Sequence, residues 1–225
     1  ATYPVGNTPL AQPMRLAETY GFNSLYFKLD NLNPSGSFKD RASQMVAAQA
    51  IAMGEHTVVV SSTGNAGSAM ACAGAAYGLE VILFVPERAP KNKLLQSVLY
   101  GARVVPIKGT YDQAFDLSIA CSREFGGINR NTAYNPMTVE GKKSCSIELY
   151  QQFGRQVPDV VYIPVGDGVI YSGIYKGFKD LRDAGFTDRI PKLVCVQSEK
   201  SDAISRAWRE DHADNIDEAT TIADS

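Results

Sequence analysis

Residues 57–85, TVVVSSTGNAGSAMACAGAAYGLEVILFV, combine two short aliphatic runs with a segment of small residues between them. The β-branched run Thr57–Ser61 is typical of a strand buried in a parallel sheet. The segment Asn65–Tyr77 predicts a helix that ends at Gly78, and residues 80–85 predict the next strand. A strand, a helix and a second strand in this order predict a right-handed βαβ unit.

The same alternation continues on both sides of this unit. Strands are predicted at residues 24–29, 57–61, 80–85, 103–107, 160–164 and 193–197, and helices at residues 38–53, 65–77, 91–100, 111–125, 139–153 and 172–184, with another beginning at 203. Ser37 is the expected N-cap of the 38–53 helix. Strands that alternate with helices of about a dozen residues indicate an α/β fold with a mainly parallel sheet.

Composition and charge exclude several classes of function. The formal net charge is -2 over 225 residues, so there is no electrostatic case for a nucleic-acid partner or an anionic membrane. No apolar run approaches the roughly 18 residues that a membrane-spanning helix needs. The four cysteines are widely spaced, as expected for reduced thiols in a cytoplasmic protein. With only His56 and His212, a histidine-based metal site is not expected.

Residues 34–41, PSGSFKDR, place a lysine where a helix begins. Lys39 falls in the first turn of the predicted helix, where the partial positive charge of the helix end disfavours a cation. Such a position lowers the pKa of an amine, which assists imine formation and proton transfer. The alternative is an exposed lysine beside Asp40 with no chemical role.

Two further loops follow strands and open helices. Residues 61–67, SSTGNAG, offer backbone N–H groups and hydroxyls that suit a carboxylate or a phosphate; the alternative is a simple N-cap. In residues 165–173, VGDGVIYSG, Gly166 and Gly168 let amides converge on an anion; the alternative is a tight turn. This loop lacks the third glycine of a dinucleotide fingerprint and is not a Walker A loop.

These loops, in this order, resemble those of the fold-type-II pyridoxal phosphate (PLP) enzymes, and most closely the threonine synthase branch. The resemblance also covers Gly6-Asn7-Thr8-Pro9-Leu10, Asn135-Pro136, Glu140-Gly141-Lys142 and the segment YKGF at 175–178. It implies two doubly wound, mainly parallel-sheet domains as in the tryptophan synthase β-subunit, with PLP in the cleft. A small domain would span residues 40–144, and a large one would combine residues 1–39 and 145–225.

The resemblance also implies roles for individual residues. Lys39 would be the catalytic residue and the Schiff-base lysine, and Asn65 would bond the ring hydroxyl of the cofactor. The other implied cofactor-binding residues are Phe38, Gly166, Asp167, Gly168, Val169 and Ile170. The implied substrate-binding residues are Ser61, Ser62, Thr63 and Thr138. No metal is implied.

Three departures from the family pattern bear on function. Val169 and Ile170 occupy the half of the phosphate loop that is usually glycine-rich, although backbone amides still suffice there. Thr138 stands where threonine synthases commonly carry an arginine expected to grip the substrate phosphate, and a hydroxyl does not replace a guanidinium fork. Arg130, which lies nearby in the sequence, is the alternative cation for the substrate phosphate. The family also continues past Ser225, so the C-terminal part that faces the pyridine nitrogen is expected to be missing from this chain.

The function expected from the resemblance is that of a PLP-dependent lyase like threonine synthase, converting O-phosphohomoserine and water to threonine and phosphate. The first alternative is an ammonia-lyase of the serine or threonine dehydratase kind, or a β-replacement enzyme on a related amino acid. From a different class, the alternative is a non-catalytic α/β ligand-binding protein or a nucleotide-binding domain. The expected partner is a small amino-acid substrate, in a cytoplasmic enzyme that could form a homodimer.

Overall fold

The computed structural model describes residues 3–210. The elements in chain order are β1 (Leu10–Ala11), α1 (Met14–Tyr20), β2 (Phe27–Lys28), a 3-10 turn (Asp30–Leu32), α2 (Lys39–Met53), β3 (Thr57–Ser61), α3 (Asn65–Tyr77), β4 (Glu80–Pro86), α4 (Lys91–Leu99), β5 (Arg103–Ile107), α5 (Tyr111–Phe125), β6 (Ile128–Asn129), α6 (Met137–Gln152), β7 (Val160–Pro164), α7 (Val169–Asp183), β8 (Lys192–Val196) and α8 (Ala203–Glu210). The chain divides into two compact units, Ala1–Thr138 and Val139–Ser225. The domains predicted at residues 40–144, and at 1–39 with 145–225, stay a prediction.

The first unit is built on a four-stranded sheet in the order β5-β4-β3-β6, in which every pairing is parallel. Successive side chains of β3 point to opposite faces of this sheet. Val58 and Val60 join a buried cluster with Val46 of α2 and Met70 of α3. Val59 packs instead with Ala114 of α5. Helices therefore cover both faces, and the predicted α/β fold with a parallel sheet is confirmed.

In the second unit, β7 and β8 pair in parallel, with Val160 opposite Lys192. Helix α7 lies close to α6 because both Gly173 and Gly177 face it. A Cβ atom at Gly177 would come within 2.5 Å of the Lys143 carbonyl oxygen, and one at Gly173 within 2.6 Å of Lys142 Cβ. The Ser146 hydroxyl donates to the Ile174 carbonyl across this contact (2.7 Å). These glycines fix the position of the helix whose N-terminus follows β7.

Several element boundaries differ from the sequence prediction. The strand predicted at 24–29 is only Phe27–Lys28, because it forms a short antiparallel edge pair with β1. Helix α7 begins three residues before the predicted 172, because Gly168 adopts a left-handed conformation and starts the helix early. Phe38, not Ser37, is the N-cap of α2.

Four short elements, β1, α1, the 3-10 turn and β6, were not predicted. Within residues 3–210, no helix combines the length and the apolar character needed to cross a membrane.

Candidate functional site

Lys39 is the first residue of α2, and its side chain is half-buried. The turn before it, residues 34–38, has Gly36 in a left-handed conformation (φ 83°) that suits glycine. The Lys39 amide donates to the Ser37 hydroxyl oxygen at 3.2 Å. The sequence prediction that Lys39 lies in the first helical turn is therefore correct. Its cofactor role stays a prediction at this point.

Asp40, the next residue, is 1% exposed and points back to the turn. Its carboxylate accepts hydrogen bonds from the Ser35 hydroxyl (2.6 Å) and from the Ser35 amide (3.2 Å). Burial raises the pKa of Asp40, while the bonds from Ser35 and from neighbouring amides act in the opposite direction. From α4, Gln96 donates to the Ser35 carbonyl at 2.9 Å. Asp40 and Gln96 therefore both hold the turn through hydrogen bonds to Ser35.

Arg41 fastens the same helical turn to the N-terminal segment. Its fully buried guanidinium makes a two-pronged ion pair with Asp30, with Nε–Oδ2 at 2.6 Å and Nη2–Oδ1 at 2.9 Å. Thr8 donates its hydroxyl to the same carboxylate (2.7 Å). Phe38 lies under this guanidinium, with Arg41 Cζ 5.6 Å from the ring centre. Thr8 therefore has a structural role, because it bonds the carboxylate that holds Arg41 of α2.

The loop at residues 61–64 leaves polar groups available at the start of α3. The Ser61 amide donates to Asn131 Oδ1 (2.7 Å), but the buried Ser61 hydroxyl has no hydrogen-bond partner among the described residues. The Ser62 hydroxyl accepts from the Gly64 amide (3.2 Å). Thr63 is half-buried, and Asn65 is the exposed first residue of α3. A buried hydroxyl beside a helix N-terminus that lacks a side-chain cap in the described part of the chain fits an anionic ligand.

The loop at residues 166–168 opens α7 in the second unit. Gly168 is its N-cap, with φ 82°. Gly166 and Asp167 are exposed, Val169 is buried and Ile170 is half-buried. The Asp167 carboxylate accepts from the Val169 amide at 3.0 Å. This amide therefore already binds an anionic oxygen, the same kind of atom that a phosphate offers.

The Thr138 hydroxyl is bonded to the main chain, and its role as a substrate contact stays a prediction. It is fully buried and donates to the Asn135 carbonyl at 2.8 Å, close to the start of α6. Arg130 is also fully buried, and its guanidinium donates to Thr132 (2.7 Å) and to Ser43 (3.4 Å). Ser43 lies one turn along α2 from Lys39, so this guanidinium is positioned on the helix that carries the lysine.

The sequence reasoning missed several residues that shape these loops. Asn131 reaches Ser61 across 70 positions, and Gln96 reaches Ser35 across 61; no local pattern signals either contact. The close spacing of Ser35 and Asp40 is visible in the sequence, but spacing alone does not predict a hydrogen bond between them. Among residues 3–210, no group of three His, Cys, Asp or Glu side chains could hold a metal ion; His212 lies outside the described residues.

Comparison with known proteins gives consistent results. A family model described as "pyridoxal-phosphate dependent enzyme" matches residues 1–225. A threonine synthase of Methanosarcina acetivorans is 38% identical over 204 residues, which cover 90% of this chain and 50% of that protein. The chain spans about half the length of the curated relatives it matches.

Solved structures resemble the fold closely. A serine racemase from Dictyostelium discoideum superposes with a TM-score of 0.79 at 26% identity, covering 92% of this chain and 65% of that one. A threonine deaminase from T.th. gives a TM-score of 0.78 at 26% identity, covering 92% and 64%. Together with the family match, these similarities show a fold-type-II architecture. The chain belongs to the pyridoxal-phosphate-dependent enzyme family, and pyridoxal phosphate is its cofactor.

Proposed function

We propose that the protein is a lyase like threonine synthase, which converts O-phosphohomoserine and water to threonine and phosphate. Curated relatives named threonine synthase, at up to 38% identity, support this proposal. The observation that carries it is the environment of Lys39, whose helical turn is anchored by the buried Asp40 and Arg41. Because this turn is held in place, the Lys39 amine meets a reactant in one orientation.

Each loop has a proposed role in holding the cofactor. Lys39 would hold the cofactor through Nζ, and Asn65 would bond its ring oxygen. Amides at Gly166 to Ile170 bind the phosphate, as the N-terminus of α7 favours an anion. When bound, pyridoxal phosphate supplies an electron sink that stabilises negative charge at the substrate α-carbon. These assignments to individual residues are part of the proposal.

A different set of groups binds the substrate, and Lys39 moves its proton. The hydroxyls of Ser61, Ser62 and Thr63 and the N-terminal amides of α3 bind the substrate carboxylate. The Ser61 hydroxyl, which lacks a partner within residues 3–210, gains a hydrogen bond there. The Lys39 Nζ amine, freed when the substrate amine takes its place on the cofactor, would accept the α-proton, because it would lie beside the reacting carbon. A proton would be lost from the β-carbon as phosphate leaves the γ-carbon. Water would then add its hydroxyl at the β-carbon, protons would return to the γ- and α-carbons, and the remaining proton would go to the departing phosphate.

A second candidate is an ammonia-lyase acting on serine or threonine. The observation that favours it is Thr138, whose hydroxyl is engaged by the Asn135 carbonyl where threonine synthases commonly carry a phosphate-gripping arginine. The structural similarity to a threonine deaminase also supports this candidate. The cytoplasmic location and the homodimer stay predictions from the family resemblance.

An assay of both reactions separates the two candidates. With the protein at its natural length and pyridoxal phosphate present, we expect phosphate release from O-phosphohomoserine together with formation of threonine. The Lys91→Ala variant, which loses an exposed lysine at the start of α4, serves as an active control. Pyruvate from serine or 2-oxobutyrate from threonine, without phosphate release, would reject the threonine synthase proposal and favour the ammonia-lyase.

Asp167 is expected to weaken cofactor binding, because its carboxylate holds the Val169 amide that a phosphate would use. Asp167→Asn removes the negative charge and should tighten binding of pyridoxal phosphate about 2- to 10-fold. The affinity for pyridoxal, which lacks the phosphate, should not increase in this variant. Asp188→Asn is the matched control, because it removes an exposed aspartate elsewhere in the same unit. Equal affinity of Asp167→Asn and the unmodified protein would contradict this role.

A further inference from the structure

We propose that Asp40 is the positioning residue for Lys39, holding the turn at residues 34–38 so that the lysine meets the cofactor in one orientation. The inference rests on the proposed function of Lys39 as the imine-forming residue. Asp40 follows Lys39 directly, and its carboxylate bonds Ser35, four residues before the lysine. The lysine thus lies inside a closed loop of chain fastened by one side chain.

Ser35 is the point at which this loop is gripped. Its amide and hydroxyl both donate to Asp40, and its carbonyl accepts from Gln96 of α4. The Ser35 hydroxyl lies 3.4 Å from the Ser37 hydroxyl, which in turn accepts from the Lys39 amide. A continuous set of hydrogen bonds therefore runs from the Asp40 carboxylate to the Lys39 main chain. Cooperative networks of this kind stiffen the backbone that they connect.

The burial of Asp40 is the reason to assign it more than a helix-capping role. An acidic residue in the first turn of a helix gains the favourable dipole interaction while exposed to water, as Asp112 does in α5. Asp40 is instead 1% exposed, and burial raises its pKa. Burying a carboxylate is costly unless its oxygens are bonded. The bonds that offset this cost go to the turn before Lys39.

Asp40 and Arg41 hold different parts of the chain, so their effects can be separated. Arg41 bonds Asp30 and Thr8 and ties α2 to the N-terminal segment. The Asp40 carboxylate instead bonds Ser35 and amides of the same turn, at Ser37 and at Asp40 itself. Loss of Asp40 should therefore loosen the turn, whereas loss of the Arg41 ion pair should destabilise the unit as a whole.

Hydrogen exchange of the cofactor-free protein tests the inference without any reaction. In Asp40→Ala, the amides of residues 35–39 should exchange about 10- to 100-fold faster than in the unmodified protein, because hydrogen bonds to a charged group are lost. Asp40→Asn keeps an acceptor oxygen and should show a smaller increase. Asp112→Asn, which removes an exposed first-turn acid from α5, should leave these amides unchanged. Unchanged exchange in Asp40→Ala would overturn the inference.

A second measurement follows the lysine itself. After mixing with saturating pyridoxal phosphate, the imine absorbance should appear about 10-fold or more slowly in Asp40→Ala, with partial recovery in Asp40→Asn. A merely structural role would lower the urea midpoint of unfolding without changing this rate. If Asp40→Ala fails to fold, Ser35→Ala removes one of the same bonds and replaces it in both measurements. Amide exchange should then be faster and the imine absorbance should appear more slowly, and the absence of both effects would reject the inference.

The outcomes distinguish this inference from the proposed function. If the unmodified protein forms no imine, the proposed function fails, and the exchange rates at residues 35–39 still decide whether Asp40 holds the turn. If the unmodified protein forms the imine at the same rate as Asp40→Ala, only the positioning role fails.

Discussion

Lys39→Ala is expected to abolish the absorbance at roughly 410–430 nm that a protonated imine with pyridoxal phosphate gives. Turnover should also fall by about 10²- to 10⁴-fold or more, because the variant loses the group that accepts the α-proton. Absorbance after incubation with the cofactor and removal of excess measures the first effect. The steady-state rate with the substrate identified by the assay of both reactions measures the second.

Lys91→Ala is the matched control for this substitution. Lys91 is also the first residue of a helix, α4, but it is exposed. Its loss should change neither the absorbance nor the rate by more than about 2-fold, since exposed substitutions away from a site have small effects. An imine absorbance that survives in Lys39→Ala would assign the cofactor to another lysine.

Asp30→Ala is expected to destabilise the first unit strongly. It removes the carboxylate that bonds the fully buried Arg41 guanidinium at 2.6 and 2.9 Å. Breaking a buried ion pair by removing one partner costs about 3–5 kcal/mol, because the other charge stays in a poorly solvated place. Urea unfolding followed by circular dichroism measures the change in free energy.

An exposed ion pair provides the comparison. Arg103 and Glu80 lie 2.9 Å apart on neighbouring strands, but their side chains are 71% and 42% exposed. Glu80→Ala should cost only roughly 0.2–1 kcal/mol, because water screens such pairs. If Asp30→Ala and Glu80→Ala cost the same, Arg41 does not anchor α2 in the way described.

The fold could be predicted because its signals are local. Runs such as Thr57–Ser61 and small-residue helices such as Asn65–Tyr77 each have a period and an end signal of their own, and both boundaries agree with the structure. The failures are also local in origin. β6 has only two residues, Ile128–Asn129, and gains its place from pairing with β3 rather than from its own sequence. Helix α7 begins early because a single glycine, Gly168, turns left-handed.

The site was predictable only in part. The position of Lys39 at a helix start was read from the sequence, since a turn of Pro, Ser and Gly precedes it. The contacts that hold this helix start could not be predicted, because Gln96 and Asp30 come from distant segments of the chain. Likewise, the hydrogen bond from the Thr138 hydroxyl to the Asn135 carbonyl could not be predicted from the sequence. Packing decides which hydroxyls form hydrogen bonds within the protein and which remain accessible to a ligand. Spacing along the sequence does not reveal this.

The proposed function depends on Lys39 carrying the cofactor. Borohydride reduction tests it most directly: the protein at its natural length is incubated with pyridoxal phosphate, the imine is reduced to a stable secondary amine, and peptides are mapped by mass spectrometry. We expect the pyridoxyl group on the peptide containing residues 34–41, attached to Lys39. Modification at a different lysine, or no modification under conditions that label a known pyridoxal phosphate enzyme, would contradict it.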